Sequence, residues 1–203
     1  GTINIMLRGL PFIYQGQEIG MENKVFQSVD EIDDISSLDE YNTCKNAGLS
    51  EEETLKVIAR FSRDNARTPM QWDDSENAGF SKAKPWFYVN ENYKSVNVKA
   101  QEIDENSVLN FYRKAIKLRR ELSAVKDGNY TEYGKSSSKV YTYVREDEKQ
   151  KILVVCSFSE KNVKFKAPMG FDTRTAELIL TNYEANDGMA LKPYETRVYL
   201  MNK

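Results

Sequence analysis

LPFIYQG, Leu10 to Gly16, is an almost unbroken apolar run that follows Gly9 and ends on a second glycine. An alternating pattern marks a strand with one wet face. A continuous apolar run of this length marks a strand buried on both faces, as in a parallel sheet. Such a strand needs neighbours, and the next hundred residues offer none. Met21 to Tyr41 is acidic and broken, and Asp73 to Lys99 is loop with Pro85 and many asparagines. Between them, Ser50 to Phe61 reads as a short helix, with Ser50 and Glu53 at capping-box spacing. The chain also opens without a methionine and directly into apolar sequence, the pattern expected of a chain cut within a larger domain.

From Ser107 to Ala124 the residues Val108, Phe111, Tyr112, Ala115, Ile116, Leu118 and Leu122 recur at helical spacing. Asn106 or Ser107 can cap this helix, and Lys114, Lys117, Arg119 and Arg120 suit the negative end of its dipole. Strand, long loop and amphipathic helix together make one βα unit. Past residue 125 the period changes to two. Lys139–Arg145, Lys151–Phe158, Asn162–Lys166, Ala176–Asn182 and Glu195–Met201 are short β-rich runs separated by charged or Gly/Asn/Asp turns. Their spacing predicts a small antiparallel β-sandwich, in which Tyr141, Tyr143 and Tyr199 alternate as a packing face would.

Composition narrows the function. With 29 basic against 31 acidic side chains, and no Lys/Arg-rich block, nothing resembles a nucleic-acid or anionic-membrane footprint. A neutral partner is expected. No apolar run reaches the roughly 18 residues of a membrane span. Histidine is absent, which removes Ser-His-Asp and Cys-His catalysis and the commonest metal ligand. Any chemistry must use carboxylates, Arg, Lys or Tyr. Cys44 and Cys156 lack metal or redox spacing and are expected as buried thiols in a reducing compartment. The acidic run Val29–Glu40 lacks the alternating ligands and central glycine of an EF-hand, so a solvated face is expected there.

RDNARTPMQW, Arg63 to Trp72, is too polar for a core strand, and Pro69 stops any helix starting before it. Loops of this kind bind or brace. Asp64 and Asn65 are expected to form its turn. Trp72 and Trp86 have faces that suit pyranose rings, but as large apolar groups on a long loop they are expected to be its buried anchors.

Taken in order, GLPFIYQGQEIGMEN, RDNARTPMQWDDSENAGF and KPWFYVNENYKSVNVKAQ, followed by the amphipathic helix, resemble one family. It is the α-glucosidases of glycoside hydrolase family 13, in the group of oligo-1,6-glucosidase, dextran glucosidase and trehalose-6-phosphate hydrolase. The resemblance covers residues 1–123. It implies a (β/α)8 TIM barrel followed by a small β-sandwich, with Leu10–Gly16 as eighth strand and Ser107–Ala124 as eighth helix. Residues 1–124 would be the last βα unit of the barrel with its elaborated loop, and residues 125–203 the sandwich.

In that family the nucleophilic aspartate, the acid/base glutamate and the second aspartate precede the eighth strand, so the resemblance implies no catalytic residue here. The N-terminal remainder of the barrel would then be the partner. Elementary geometry agrees. Retaining hydrolysis needs two carboxylates about 5–5.5 Å apart, yet only Glu18 follows a barrel-type strand end. Glu18 is therefore expected to support the pocket.

By resemblance Arg63 reaches the subsite of the non-reducing glucose, where its planar fork would grip hydroxyls. Arg67 would brace the loop, and Trp72 would support it. Ser36 stands where α-1,6-acting relatives often carry glutamate, which leaves α-1,6, α-1,4 and sucrose-type substrates open. The implied function is hydrolysis of terminal α-linked glucose from oligosaccharides or disaccharides, with no cofactor, no metal ligand in this chain and a cytoplasmic location. A sucrose isomerase of the same family is the alternative. From other classes come a stand-alone carbohydrate-binding module and the inactive glucosidase-like subunit of a transporter.

Overall fold

Period-two sequence after residue 128 builds a sheet because each strand has an apolar set for each face. In the computed structural model, which describes residues 1–184 and 188–203, the strands are β1 (Asn129–Tyr133), β2 (Val140–Glu146), β3 (Gln150–Ser157), β4 (Val163–Lys164), β5 (Glu177–Thr181), β6 (Ala190–Leu191) and β7 (Thr196–Asn202). Five of them form an antiparallel sheet in the order β1-β2-β3-β7-β5, and β4 pairs with β6 in a separate ribbon. Register places Tyr143 opposite Val154, and Val154 opposite Val198.

The helices are α1 (Thr2–Met6), α2 (Ile35–Asn46), α3 (Glu51–Phe61), α4 (Val98–Glu102), α5 (Val108–Glu121) and α6 (Ser123–Lys126). The chain forms two compact units, one of residues 1–13 with 110–203 and one of residues 14–109.

In the first unit the five-stranded sheet is covered on both faces. Tyr143, Ile152, Val154, Cys156, Leu180 and Val198 pack with Ile5 and Met6 of α1, Tyr112 and Ala115 of α5, and Ala124 and Val125 of α6. The other face, with Val144, Leu153, Val155 and Tyr199, meets Phe165, Phe171 and Leu191. Helices, not a second full sheet, therefore close one side. Tyr199 faces away from Tyr141 and Tyr143, because those two belong to the helix side. Two strands carry no periodic signal in the sequence, β1 because NYTEY is a polar edge strand and β6 because two residues are too short to show a period.

Two guanidinia secure the N-terminal segment. Arg119 of α5 donates to the carbonyls of Ile5, Leu7 (2.9 Å) and Gly9, and the fully buried Arg145 of β2 donates to Met6 O (3.1 Å) and Gly128 O (2.9 Å). Carbonyls at the end of a helix lack intrahelical partners, and these side chains supply them. Gly128 is required where the backbones close up, since a Cβ there would lie 2.4 Å from Ala124 O and 2.9 Å from Glu146 O. On the other face Arg197 and Glu195 form a buried pair at 2.6 Å, and Arg197 also donates to Ala190 O at 2.8 Å.

Leu10 to Gly16 corrects the first expectation. Among the described residues it belongs to no sheet, with Leu10 78% and Phe12 79% exposed. The physical reason is that a strand exists as a ladder, and among the described residues no strand pairs with it. The predicted helix 107–124 is interrupted. It ends at Glu121, Leu122 turns to extended backbone, and α6 resumes at Ser123. Cys44 is only half-buried, so of the two expected buried thiols Cys156 alone is buried.

In the second unit α3 begins at the expected capping box, with Glu53 N donating to Ser50 Oγ and Ser50 N to the Glu53 carboxylate at 2.9 Å. Leu55 and Ile58 of α3 pack with Phe26 and Ile32. A second cluster joins Ile19, Met70 and Leu109. Helix α2 was unexpected because its sequence, ISSLDEYNTCKN, is polar all round and buries only Ser37.

Two outcomes follow from the sheet unit. Glu195→Ala leaves Arg197 buried without its carboxylate and should cost about 3–5 kcal/mol in urea unfolding. Burial raises the Cys156 thiol from 9.0 to about 11, against the opposing hydrogen bond with Thr196. Because the folded value is raised, its stabilisation is complete below pH 9 and lost as pH climbs toward 11, by on the order of 2 kcal/mol. Unfolding free energies measured across that window should fall less steeply in Cys156→Val.

Candidate functional site

The RDNARTPMQW stretch leaves α3 at Ser62 and makes one 3-10 turn, Arg63–Ala66. The turn is not held by local bonds alone. Asp64 is fully buried, and its carboxylate accepts the backbone N–H of Asp33 (2.9 Å) and Asp34 (3.1 Å) and the Arg67 guanidinium (3.1 Å). Asp34 caps α2 by accepting from Ser37 N (3.2 Å) and Ser37 Oγ (2.8 Å), and Ser37 Oγ lies 2.9 Å from Ser62 Oγ. Ser62 Oγ in turn accepts Asp64 N at 3.2 Å. The start of α2 and the end of α3 are thus joined through one buried polar network. Buried carboxylates persist only when their lone pairs are filled in this way. The Asp34 carboxyl is held below its usual range, first by the Ser37 hydroxyl and further by the Ser37 N–H and the charges of Arg63 and Arg67.

Asn65 ties the turn to a different segment. Its Oδ1 accepts Lys24 N at 3.0 Å and its Nδ2 donates to Ala59 O at 2.8 Å. Asp64 and Asn65 therefore do more than form a turn, which corrects the sequence expectation. Downstream, buried Gln71 donates to Asn92 Oδ1 at 3.1 Å, and Tyr14 OH donates to Ala66 O at 2.7 Å. Tyr14, Gln17, Met21, Glu22, Asn65 and Thr68 line a cleft of about 290 Å³ within this unit.

Arg63 projects outward from this frame. It is exposed, and its guanidinium has no hydrogen bond or ion pair among the described residues. Arg67 turns back to Asp64 and stands 3.8 Å from Asp33. Glu18 occupies a 3-10 turn, Gln17–Ile19, with Oε2 buried and unbonded among the described residues. Ser36 is exposed in the first turn of α2, and the network uses its neighbour Ser37 instead. Trp72 is 50% and Trp86 74% exposed, so neither is a buried anchor. Phe87, buried beside Trp86, takes that part. The structure thus joins Arg67 to the turn that carries Arg63, and leaves Glu18, Ser36 and Trp72 outside the network.

Sequence reading missed Asp34, Ser37 and Ser62. The signal was available for one of them, since Asp34 and Ser37 stand at the spacing of a helix cap. Asp34 and Asp64 are committed to backbone and hydroxyl donors, so neither is free to act as nucleophile or acid. What remains is the Arg63 guanidinium, exposed on a backbone turn that buried bonds to Asp64 hold in place. Among the described residues no group of three or more Cys, Asp or Glu side chains is placed to hold a metal ion.

The chain as a whole is similar to known proteins. Residues 1–128 match the alpha amylase catalytic domain, and residues 130–198 match the maltogenic amylase C-terminal domain. The chain is 42% identical over 200 residues to an oligo-1,6-glucosidase of Parageobacillus thermoglucosidasius, covering 96% of this chain and 36% of that protein. It is 37% identical over 203 residues to the trehalose-6-phosphate hydrolase of Bacillus subtilis (strain 168), covering 98% and 36%. Among solved structures, Bacillus licheniformis trehalose-6-phosphate hydrolase superposes with a TM-score of 0.91 at 35% identity, over 100% of this chain and 38% of that one. The isomaltulose synthase of Klebsiella sp. LX3 superposes with a TM-score of 0.85 at 35% identity, over 98% and 37%. The chain therefore spans little more than a third of the length of these relatives. With residues 1–128 matching its catalytic domain, this chain belongs to the α-amylase family.

Proposed function

We propose that this chain is the C-terminal part of a retaining α-glucosidase that releases terminal α-linked glucose from short oligosaccharides or disaccharides. Its catalytic carboxylates would come from residues outside this chain, the remainder of the barrel being its partner, and its place of action would be the cytoplasm. Residues 1–124 would belong to the barrel and residues 125–203 to the appended sheet domain. The observation that carries the reading is Arg63, an exposed guanidinium with no hydrogen bond or ion pair among the described residues, on a turn whose one carboxylate, Asp64, is already taken by three donors. A planar fork of donors suits the vicinal hydroxyls of a glucose unit. Large exposed apolar side chains at Leu10 and Phe12 count against a stand-alone module.

A second reading, a sucrose isomerase, has one specific observation behind it. The isomaltulose synthase fold matches with a TM-score of 0.85. Both readings share the glycosyl-enzyme step and differ in whether water or fructose accepts the sugar.

The test is hydrolysis of p-nitrophenyl α-glucoside by the 203-residue chain, alone and after addition of the upstream part of its parent enzyme. Activity should appear only in the mixture, and Arg63→Ala should lower kcat/KM by about ten- to hundredfold. Turnover by the chain alone would sink the reading. With sucrose as substrate, glucose and fructose support the hydrolase, whereas isomaltulose or trehalulose supports the isomerase. Stability separates the two motif residues. Arg63→Ala should stay within about 0.5 kcal/mol of the parent chain in urea unfolding, while Asp64→Ala, which strips three donors of their acceptor, should lose about 2–3 kcal/mol.

A further inference from the structure

Three aromatic residues follow Pro85, and their burial alternates. Trp86 is 74% exposed, Phe87 is buried and Tyr88 is 43% exposed. The Phe87 ring meets both neighbours edge-on, its centroid 5.3 Å from Trp86 and 6.2 Å from Tyr88. It is thus packed against both outer rings. Tyr88 is held a second time, by the Lys24 ammonium 5.1 Å from its ring centroid, and Lys24 is itself paired with Glu31 at 3.2 Å. Asn90 secures the end of the segment by donating to Glu22 O (3.1 Å) and Asn23 O (3.3 Å). The Trp86 indole N–H and the Tyr88 hydroxyl have no hydrogen-bond partner among the described residues.

Such rings combine an apolar face with a polar edge. A pyranose has the same duality, with a C–H face to stack and a rim of hydroxyls to bond. The patch is also small. Lys82, Ala83 and Lys84 before it are exposed and, apart from one alanine, charged. The two exposed rings by themselves offer far less than the ~800 Å² per partner of a stable protein interface. A sugar fits that scale.

We propose that Trp86 and Tyr88 form a stacking platform for glucose units of an α-linked oligosaccharide. The stacking rests on the rings alone, and the choice of an α-glucan rests on the function proposed above.

The chain has two tryptophans, Trp72 and Trp86, so Trp72→Phe leaves Trp86 as sole indole reporter. Its fluorescence in the full 203-residue chain would be titrated with maltotriose, isomaltotriose, cellotriose and glycerol. A saturable change with an α-linked trisaccharide and none with glycerol is the expected result. Adding Tyr88→Ala, with the far-UV circular dichroism unchanged, should weaken binding about fivefold or more. No saturable response to any trisaccharide, or an equal response to glycerol, overturns the platform. Binding of cellotriose alone keeps a sugar platform and overturns its α-glucan assignment. The two proposals fail separately. An active reconstituted enzyme with a silent Trp86 removes the platform only, and a responsive Trp86 in an inactive mixture removes the proposed hydrolase only.

Discussion

The Asp64 carboxylate sits out of contact with water and holds three donors, two from the Asp33–Asp34 segment and one from Arg67 just after its own turn. Taking a carboxylate out of water costs several kcal/mol unless its lone pairs are filled, and this requirement organises the unit that carries the candidate site. Satisfying it fixes where Asp33 and Asp34 run, and through the Asp34 cap it fixes where α2 begins. Helix α2 has almost no apolar face with which to find its own place. The backbone at Arg63 is set by the same arrangement, because Asp64 next to it is tied by three donors.

The sheet unit solves a related problem with the opposite charge. Arg119 and Arg145 serve backbone carbonyls at the end of α1, and Arg197 combines a carboxylate with carbonyl acceptors. A guanidinium has five donors and stays charged, so one side chain can finish several carbonyls at once. That makes arginine the economical residue where a five-residue helix must end inside a core. Around it the packing is ordinary, with β3 dividing Ile152, Val154 and Cys156 from Leu153 and Val155 between the two faces.

Periodic elements were legible in the sequence. The capping box of α3, the amphipathic α5 and the runs behind β2, β3, β5 and β7 depend on spacing that a single chain displays. Elements defined by a partner were not. Leu10 to Gly16 has the composition of a buried strand, but composition cannot provide the ladder. α2 and β1 are polar, and their positions come from Asp34 and from the edge of β2. The site divides in the same way. Arg63 and Arg67 drew attention by residue type, whereas Ser37 and Ser62 are unremarkable letters whose role appears only when α2 and α3 meet. Trp72 and Trp86 misled because bulk was read as burial.

Leu10 and Phe12 have a practical consequence for anyone handling this chain. Two large apolar side chains face water on a segment whose backbone is not in a sheet, while the net charge at pH 7 is only −2. Such a surface has contact points for self-association and little colloidal repulsion to oppose it. Solubility will fall with protein concentration and with added salt, and dilute, low-salt buffers well above neutral pH will keep the chain dispersed.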